Sequence, residues 1–312
     1  MNIYTNLEDV PNITNPVITI GTFDGVHLGH QKVISYLNSK AKEVKGESVV
    51  FTFHPHPRMV LYPDDHHLEM LQTIEERKES LAKAKINHLI IYPFSKEFSR
   101  LSALEFVRDI LVNKLGLKFL IVGYDHHFGR NREGSMANLE DLAPLYGFKI
   151  FEIDALNKEE VNISSTKIRA AVKSKDFSKV TEFLGSPFQL SGTVVAGDKI
   201  GTELGYPTAN IVVNAHYKII PPNGVYAVRV TVEKQDYIGM LNIGNRPTVS
   251  SNGESRIEVH ILDFSGNIYG EEIKLSIVEY IRSEVNFDSR ESLIEQIKED
   301  EKNCRSVLLP FV

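Results

Sequence analysis

Cysteine is almost missing from this chain of 312 residues. Cys304 is the only one, so no disulfide can form within the chain and no cysteine-based zinc cluster is available. Long apolar runs are missing as well, because the longest, such as residues 119–122, are strand-sized and too short to span a membrane. Residues 1–11 lack the basic and apolar regions of a secretory signal. We therefore expect a cytoplasmic protein with no membrane partner.

A surplus of positive charge is also absent. The formal net charge is −6. Residues 1–185 hold 23 Lys and Arg against 24 Asp and Glu, and residues 186–312 hold 12 against 17. A general nucleic-acid binder needs a basic surface, so nucleic acid is not expected as a partner. A chain of this length favours two domains, each with its own core.

Strand-like and helix-like runs alternate in the first half of the chain. Helical patterns separate short runs rich in apolar residues at 17–20, 48–53, 88–92, 119–123 and 149–153. This alternation predicts an α/β domain with a parallel sheet and helices on both faces. Ligands of such sheets bind beyond the carboxyl ends of the strands.

The second half changes character between residues 188 and 282. Apolar and polar residues alternate with period two in several short runs, which predicts strands with one buried face. Six such strands without helices between them predict a small antiparallel β-barrel. A terminal helix follows, with Asp288 as its predicted cap and Glu291 at the reciprocal position. The predicted domain boundary lies near 184–187, which gives domains 1–185 and 186–312.

A glycine-rich turn with two histidines follows the first of the listed strand runs and spans residues 21–30. His27 and His30 stand at the start of a predicted helix, where free N–H groups and the helix dipole favour phosphate. Two imidazoles add donors for charge that develops on a leaving pyrophosphate. The backbone can approach a nucleotide closely because three residues carry no side chain: Gly21, Gly25 and Gly29.

Two other interpretations of this turn stay open. The pattern H-x-x-H alone is more often a pair of surface histidines beside a glycine turn. It can also be part of a zinc site, with further ligands drawn from His54, His56, His126 and His127. The turn is neither a Walker A loop nor a Rossmann fingerprint, because neither motif occurs in the chain.

Hydroxyl side chains and an arginine stand where a later helix is predicted to begin. Ser164, Ser165 and Thr166 suit a plain helix N-cap. The guanidinium of Arg169, three residues on, matches the geometry of phosphate oxygens. The segment therefore fits either a helix cap or a second nucleotide contact.

A second glycine-rich region opens the strand-rich half. Gly197, Asp198, Lys199 and Gly201 precede Gly-Tyr-Pro-Thr-Ala-Asn at 205–210. Thr208 and Asn210 are two apart on a predicted strand and point to one side. Their hydroxyl and amide oxygens are hard ligands that suit Mg²⁺ bridging ATP phosphates. The alternative is a strand start whose polar residues face solvent.

Glu258 lies on the polar face of a predicted strand, beside His260 and opposite Ile257 and Val259. A glutamate at such a position would ordinarily be a solvated surface residue. The segment at 242–248 precedes it and the segment at 280–284 follows it. Both belong to the same set of motifs, so they favour a functional role for Glu258.

Taken together, these segments resemble those of the prokaryotic bifunctional riboflavin kinase/FAD synthetases, in the same order and over nearly the whole chain. The turn at 21–30 is similar to the His-x-Gly-His signature of the nucleotidyltransferase superfamily. The segment at 205–210 looks like the Pro-Thr-Ala-Asn element of riboflavin kinases. The resemblance implies a Rossmann-like nucleotidyltransferase domain that adenylylates FMN, followed by a barrel that phosphorylates riboflavin.

The resemblance also implies roles for single residues. Glu258 would be the general base of the kinase, His27 and His30 would be catalytic in the transferase, and Mg²⁺ would be held by Thr208 and Asn210. The flavin would contact Asp125, Asn242 and Arg282. ATP would be bound by two sets of residues: Gly21, Phe23, Asp24, Gly29, Ser164, Ser165, Thr166 and Arg169 in the first domain, and Gly197, Lys199, Gly205 and Pro207 in the second.

The chain departs from the family's usual pattern in two places. His126 and His127 follow Asp125 where Phe-Arg is usual, and Thr202 stands where an arginine is common. The partners implied by the resemblance are riboflavin, FMN, FAD and ATP, bound by a monomer or a weak homo-oligomer.

Two rival functions fit the same residues. One is a nucleotidyltransferase for another phosphate substrate, with the barrel as a binding module. The other is a non-enzymatic regulator that binds flavin or RNA on a degenerate enzyme scaffold. FAD formation from FMN and ATP would separate the first rival from the bifunctional enzyme.

Overall fold

The computed structural model describes residues 1–64, 68–123, 129–130, 134–153, 163–197, 200–245 and 255–309. The chain folds as two compact units. The first comprises Met1–Leu68 and Ile74–Ser164, and the second comprises Glu69–Thr73 and Ser165–Val312. The boundary near 184–187 stays a prediction.

A parallel sheet forms the centre of the first unit. Within the described residues its strands are β1 (Asn2–Tyr4), β2 (Val17–Ile20), β3 (Ser48–His54), β4 (His88–Pro93), β5 (Phe119–Gly123) and β6 (Lys149–Ile153). Their spatial order is β1-β4-β3-β2-β5-β6, and every neighbouring pair is parallel. The predicted α/β sheet is confirmed. Strand β1 was not predicted, because three partly exposed residues at a sheet edge carry no apolar run.

Helices cover both faces of this sheet. They are α1 (Leu28–Glu43), α2 (Pro57–Leu61), α3 (Ile74–Lys83), α4 (Ala103–Glu105), which runs into a π-helix (Phe106–Lys114), and α5 (Met136–Tyr146). Successive strand residues point to opposite faces. Val17 therefore joins the core with α1 and α3, whereas Ile18 joins the core with the π-helix.

The second unit contains a closed antiparallel barrel. Its strands are β7 (Phe188–Val195), β8 (Ala209–Val212), β9 (Gly224–Val232), β10 (Gln235–Asn245), β11 (Ser255–Ile261) and β12 (Glu272–Arg282). They close in the order β10-β11-β8-β7-β12-β9. The predicted six-stranded barrel is confirmed, since apolar side chains such as Leu241 and Val259 are fully buried.

Four helices accompany the barrel among the described residues: α6 (Ser165–Lys173), α7 (Phe177–Leu184), α8 (Ile200–Glu203) and α9 (Arg290–Leu308). The terminal helix is confirmed, and it buries Cys304 and Leu308. Its predicted cap is wrong by one residue. Ser289 is the N-cap, and its hydroxyl accepts a hydrogen bond from the Ser292 N–H at 3.1 Å, so Asp288 precedes the cap.

Residues 69–73 belong to the second unit although the chain on both sides of them belongs to the first. Met70 pairs with the backbone around Lys218, with N–H···O distances of 2.6 Å to Tyr217 and 2.9 Å from Ile219. The Lys218 ammonium is buried and donates to the carbonyls of Leu71 at 2.7 Å and Gln189 at 2.6 Å. One lysine thus ties the segment to the barrel.

We expect Lys218→Met to destabilise the second unit, because methionine keeps the chain length but removes the donor to two carbonyls. Each buried carbonyl left without its partner costs about 1–3 kcal/mol. Chemical denaturation followed by circular dichroism should show a lower midpoint. The matched control is Lys298→Met at an exposed position on α9. An equal effect of both substitutions would remove the role of Lys218.

Candidate active sites

The turn between β2 and α1 holds the two histidines in contact. His27 is the N-cap of α1, and its Nδ1 accepts a hydrogen bond from the backbone N–H of His30 at 3.4 Å. The two imidazole rings stack with centroids 3.7 Å apart. Because His27 Nδ1 is the acceptor, the proton of the neutral ring is on Nε2.

The backbone of this turn is shaped by its small residues. Gly25 has φ 86°, and its neighbours Phe23 and Val26 also adopt left-handed values of 48° and 39°. Such values are uncommon for residues with a side chain. At Gly29 a Cβ would lie 3.2 Å from the His27 ring. The absence of a side chain at Gly29 therefore leaves room for the His27 imidazole. Phe23, Asp24 and His27 are all buried.

Burial keeps both imidazoles uncharged. Desolvation lowers the pKa of His27 to about 4, against an opposing effect of the Asp24 carboxylate. The pKa of His30 is held well below its ordinary value, first by burial and then by His27 and the Arg77 guanidinium. His30 Nδ1 is buried and has no hydrogen-bond partner among the described residues. A neutral donor pair beside a helix N-terminus suits an anionic ligand.

The hydroxyl segment falls at the border of the two units. Ser164 ends the first unit, and Ser165 opens α6 in the second. Arg169 donates through Nε to the Glu69 carbonyl at 2.6 Å. A role of Ser164, Ser165, Thr166 and Arg169 in ATP binding stays a prediction.

Several predicted residues lie outside the described ranges, namely Asp125, His126, His127 and Lys199. Among the residues that are described, no group of three His, Cys, Asp or Glu side chains could hold a metal ion. The zinc interpretation of the histidine turn therefore finds no ligand set in that part of the chain.

Strand register in the barrel aligns predicted residues from four strands. Asn210 on β8 pairs with Glu258 on β11, and Glu258 pairs with Asn242 on β10. Asn242 pairs with Val225 on β9, which in turn pairs with Arg282 on β12. Register partners point to the same face of a sheet. We call Asn210, Glu258, Asn242 and Arg282 the polar row.

A cavity of about 330 Å³ lies along this row. Three members of the polar row line it, namely Glu258, Asn242 and Arg282, and Thr208 joins them. Its apolar lining comes from the outer face of the barrel, from the segment between β12 and α9, and from α9 itself, with Met240, Val285, Phe287, Leu293 and Ile297 among the residues. An apolar cleft with a few convergent polar groups is the usual form of a small-molecule site.

Ion pairs fix the charged side chains of the cavity. Arg282 binds Asp300 of α9 through two hydrogen bonds of 2.8 and 2.6 Å. Arg256 binds Glu258 at 2.8 and 2.7 Å. Sequence reasoning missed Arg256 and Asp300. The period-two pattern of β11 could have suggested Arg256, whereas Asp300 reaches the site only through packing of α9.

Two glycines fit closely around the predicted metal ligands. A Cβ at Gly197 would collide with the Asn210 amide, and one at Gly201 would lie 3.3 Å from Thr208 Oγ1. Gly205, which precedes β8, adopts a φ of 84°. The Pro207 carbonyl lies 2.7 Å from His260 Nδ1. A hydroxyl and an amide in such a glycine-lined corner fit Mg²⁺, which takes oxygen ligands and keeps several waters.

Comparison with known proteins bears on both sites. The family model described as FAD synthetase matches residues 10–167, and the model described as riboflavin kinase matches residues 184–308. The chain belongs to the bifunctional riboflavin kinase/FMN adenylyltransferase family. The family of that name includes a relative from Buchnera aphidicola, 38% identical over 96% of each chain. Another, from Listeria monocytogenes, is 37% identical over 94% of this chain and 92% of its own.

A solved structure is also similar to this chain. It is described as the macrolide-efflux protein from Streptococcus pneumoniae and aligns with a TM-score of 0.87 and 31% identity, over 97% of this chain and 98% of that one. That name applies to the Streptococcus protein alone. Among the described residues of this family member, no helix combines the length and apolar character needed to cross a membrane.

We expect His27 to titrate near pH 4 in the folded protein, and the pKa of His30 to lie well below its ordinary value. Their unfolded pKa is near 6.5. The unfolded chain therefore takes up protons first as the pH falls, and stability is lost from about pH 6.5 towards pH 4. Imidazole NMR signals followed against pH test this, with the denatured protein as control. Titration of both rings near 6.5 in the folded state would contradict it.

Proposed function

We propose that this chain makes FAD from riboflavin in two ATP-dependent steps, divided between its two halves. Residues 186–312 phosphorylate riboflavin to FMN, and residues 1–185 transfer AMP from a second ATP to FMN, releasing pyrophosphate. The observation that carries the proposal is the polar row, which aligns Glu258, Asn210 and Asn242 across neighbouring strands. The matches of both family models support the same division.

In the first step, the terminal hydroxyl of riboflavin attacks the γ-phosphorus of ATP and ADP leaves. Glu258 accepts the hydroxyl proton as general base. Its largely buried carboxylate lines the cavity, where a flavin would lie against the apolar residues of α9. Asn242 and Arg282 orient the flavin. Arg282 is held for this by its two hydrogen bonds to Asp300.

Mg²⁺ is the metal that fits this site, where Thr208 and Asn210 would hold it. When bound, it neutralises charge on the ATP phosphates. The chain itself contributes the close fit of Gly197 and Gly201 around the two side chains. Gly205 and Pro207 continue the ATP-binding segment, which the contact of Pro207 with His260 fixes on the barrel.

In the second step, the FMN phosphate attacks the α-phosphorus of ATP. The nucleophile is already an anion, so no strong base and no covalent enzyme intermediate are needed. His27 and His30 act instead as neutral donors towards charge that builds up on the leaving pyrophosphate. Gly21, Phe23, Asp24 and Gly29 shape the turn that brings the α1 N-terminus to the nucleotide.

We expect Glu258→Gln to lower riboflavin phosphorylation by about 10²–10⁴-fold, because glutamine keeps the size but cannot accept the proton. Adenylylation of supplied FMN should stay near wild type. Each half-reaction is measured separately, with FMN and FAD resolved by chromatography. Undiminished phosphorylation would return Glu258 to the role of a solvated strand residue.

The reciprocal variant is His30→Ala, which should lower FAD synthesis by about 10²-fold, as expected for loss of one electrostatic donor. Riboflavin phosphorylation should be spared. The two variants act as controls for each other, because each should lose one activity and keep the other. Parallel loss of both activities in either variant would contradict the division of labour.

A further inference from the structure

Arg256 and Glu258 are two residues apart on β11, so their side chains share the face that lines the cavity. The Arg256 Nε donates to Glu258 Oε1 at 2.8 Å, and Nη2 lies 2.7 Å from the same oxygen. Both contacts therefore use one carboxylate oxygen. Among the described residues, Oε2 of Glu258 makes no hydrogen bond.

We propose that Arg256 is a positioning residue for riboflavin phosphorylation. It fixes Oε1 of Glu258 and leaves Oε2 directed to the hydroxyl that loses its proton. This inference rests on the proposed role of Glu258 as the base. Arg256 acts through Glu258 and takes no part in the proton transfer itself.

A glutamate needs such a restraint because its side chain has several rotatable bonds. A base must be held within hydrogen-bond reach of its proton, and a displacement of about 1 Å can cost about 10²-fold in rate. A guanidinium offers a rigid planar fork that limits the carboxylate more than a flexible ammonium does. Both side chains are largely buried, with exposed fractions of 24% for Arg256 and 16% for Glu258, so solvent screens the pair weakly.

Other charged groups of the cavity are already engaged. Arg282 binds Asp300, and the Glu284 carboxylate accepts from the Asn223 amide at 2.9 Å. The register partner of Arg256 is Gly244, where a Cβ would collide with the Glu284 carboxylate. Within the described part of the chain, Arg256 is thus the cation in contact with Glu258.

A double-mutant cycle tests the inference on the full chain. Arg256→Gln should lower kcat for riboflavin phosphorylation by about 10- to 10²-fold, with KM for riboflavin and ATP changed by less than about 3-fold. In a Glu258→Gln background the same substitution should cause no further loss, because the residue it positions no longer acts as a base. Arg256→Lys should recover part of kcat.

The matched control is Arg305→Gln. Arg305 also pairs with an acid, Asp263, at 2.7 and 2.9 Å, but it does not line the cavity. Its loss should leave kcat unchanged. FMN adenylylation and the thermal transition are measured in every variant. If Arg256→Gln does not fold, Arg256→Lys carries the same cycle, with a smaller loss of kcat that should again vanish in the Glu258→Gln background.

The outcomes separate the inference from the function on which it rests. An equal loss from Arg256→Gln with and without Glu258 would show that Arg256 acts independently, for instance on a phosphate. A raised KM for ATP with unchanged kcat would show the same, and either result overturns the inference. Wild-type kcat in Glu258→Gln would instead overturn the role of Glu258 as base, whatever Arg256 does.

Discussion

The hydrogen-bond register of the closed barrel is the constraint on which the kinase half depends. A shift of one residue between β8 and β11 would turn Asn210 and Glu258 to opposite faces, since side chains alternate along a strand. Closure fixes each strand between two neighbours, and burial of the inward residues opposes any slip. The apolar interior thus sets the positions of the polar groups outside it.

The two candidate sites handle charge in opposite ways. Around α1, burial removes charge, so His27 and His30 stay neutral at physiological pH. In the barrel cavity, charged side chains are paired with each other: Arg282 forms an ion pair with Asp300, and Arg256 forms one with Glu258. Neutral donors suit a reaction whose nucleophile is already anionic, whereas a proton acceptor must remain ionised.

Much of the fold could be predicted because its elements are regular. Short β-branched runs such as Val17–Ile20 indicate strands buried on both faces, and period-two alternation indicates the barrel. Short elements at an edge, such as β1, carry no comparable pattern. Those parts of the candidate site that consist of motif residues could be predicted from the sequence. Asp300 lies on α9, 18 residues after Arg282 in the chain, and no local sequence pattern encodes the contact between them.

The five-residue segment Glu69–Thr73 makes the second unit discontinuous along the chain. Its backbone pairs beside Lys218, almost 150 residues later in the sequence. The boundary between the units is therefore crossed by the polypeptide three times. A gene that exchanged one half by a single recombination point would bring a foreign five-residue segment to the barrel, or leave its own behind. Divergence of the second unit is thereby tied to a short stretch of sequence that lies within the first unit's part of the chain.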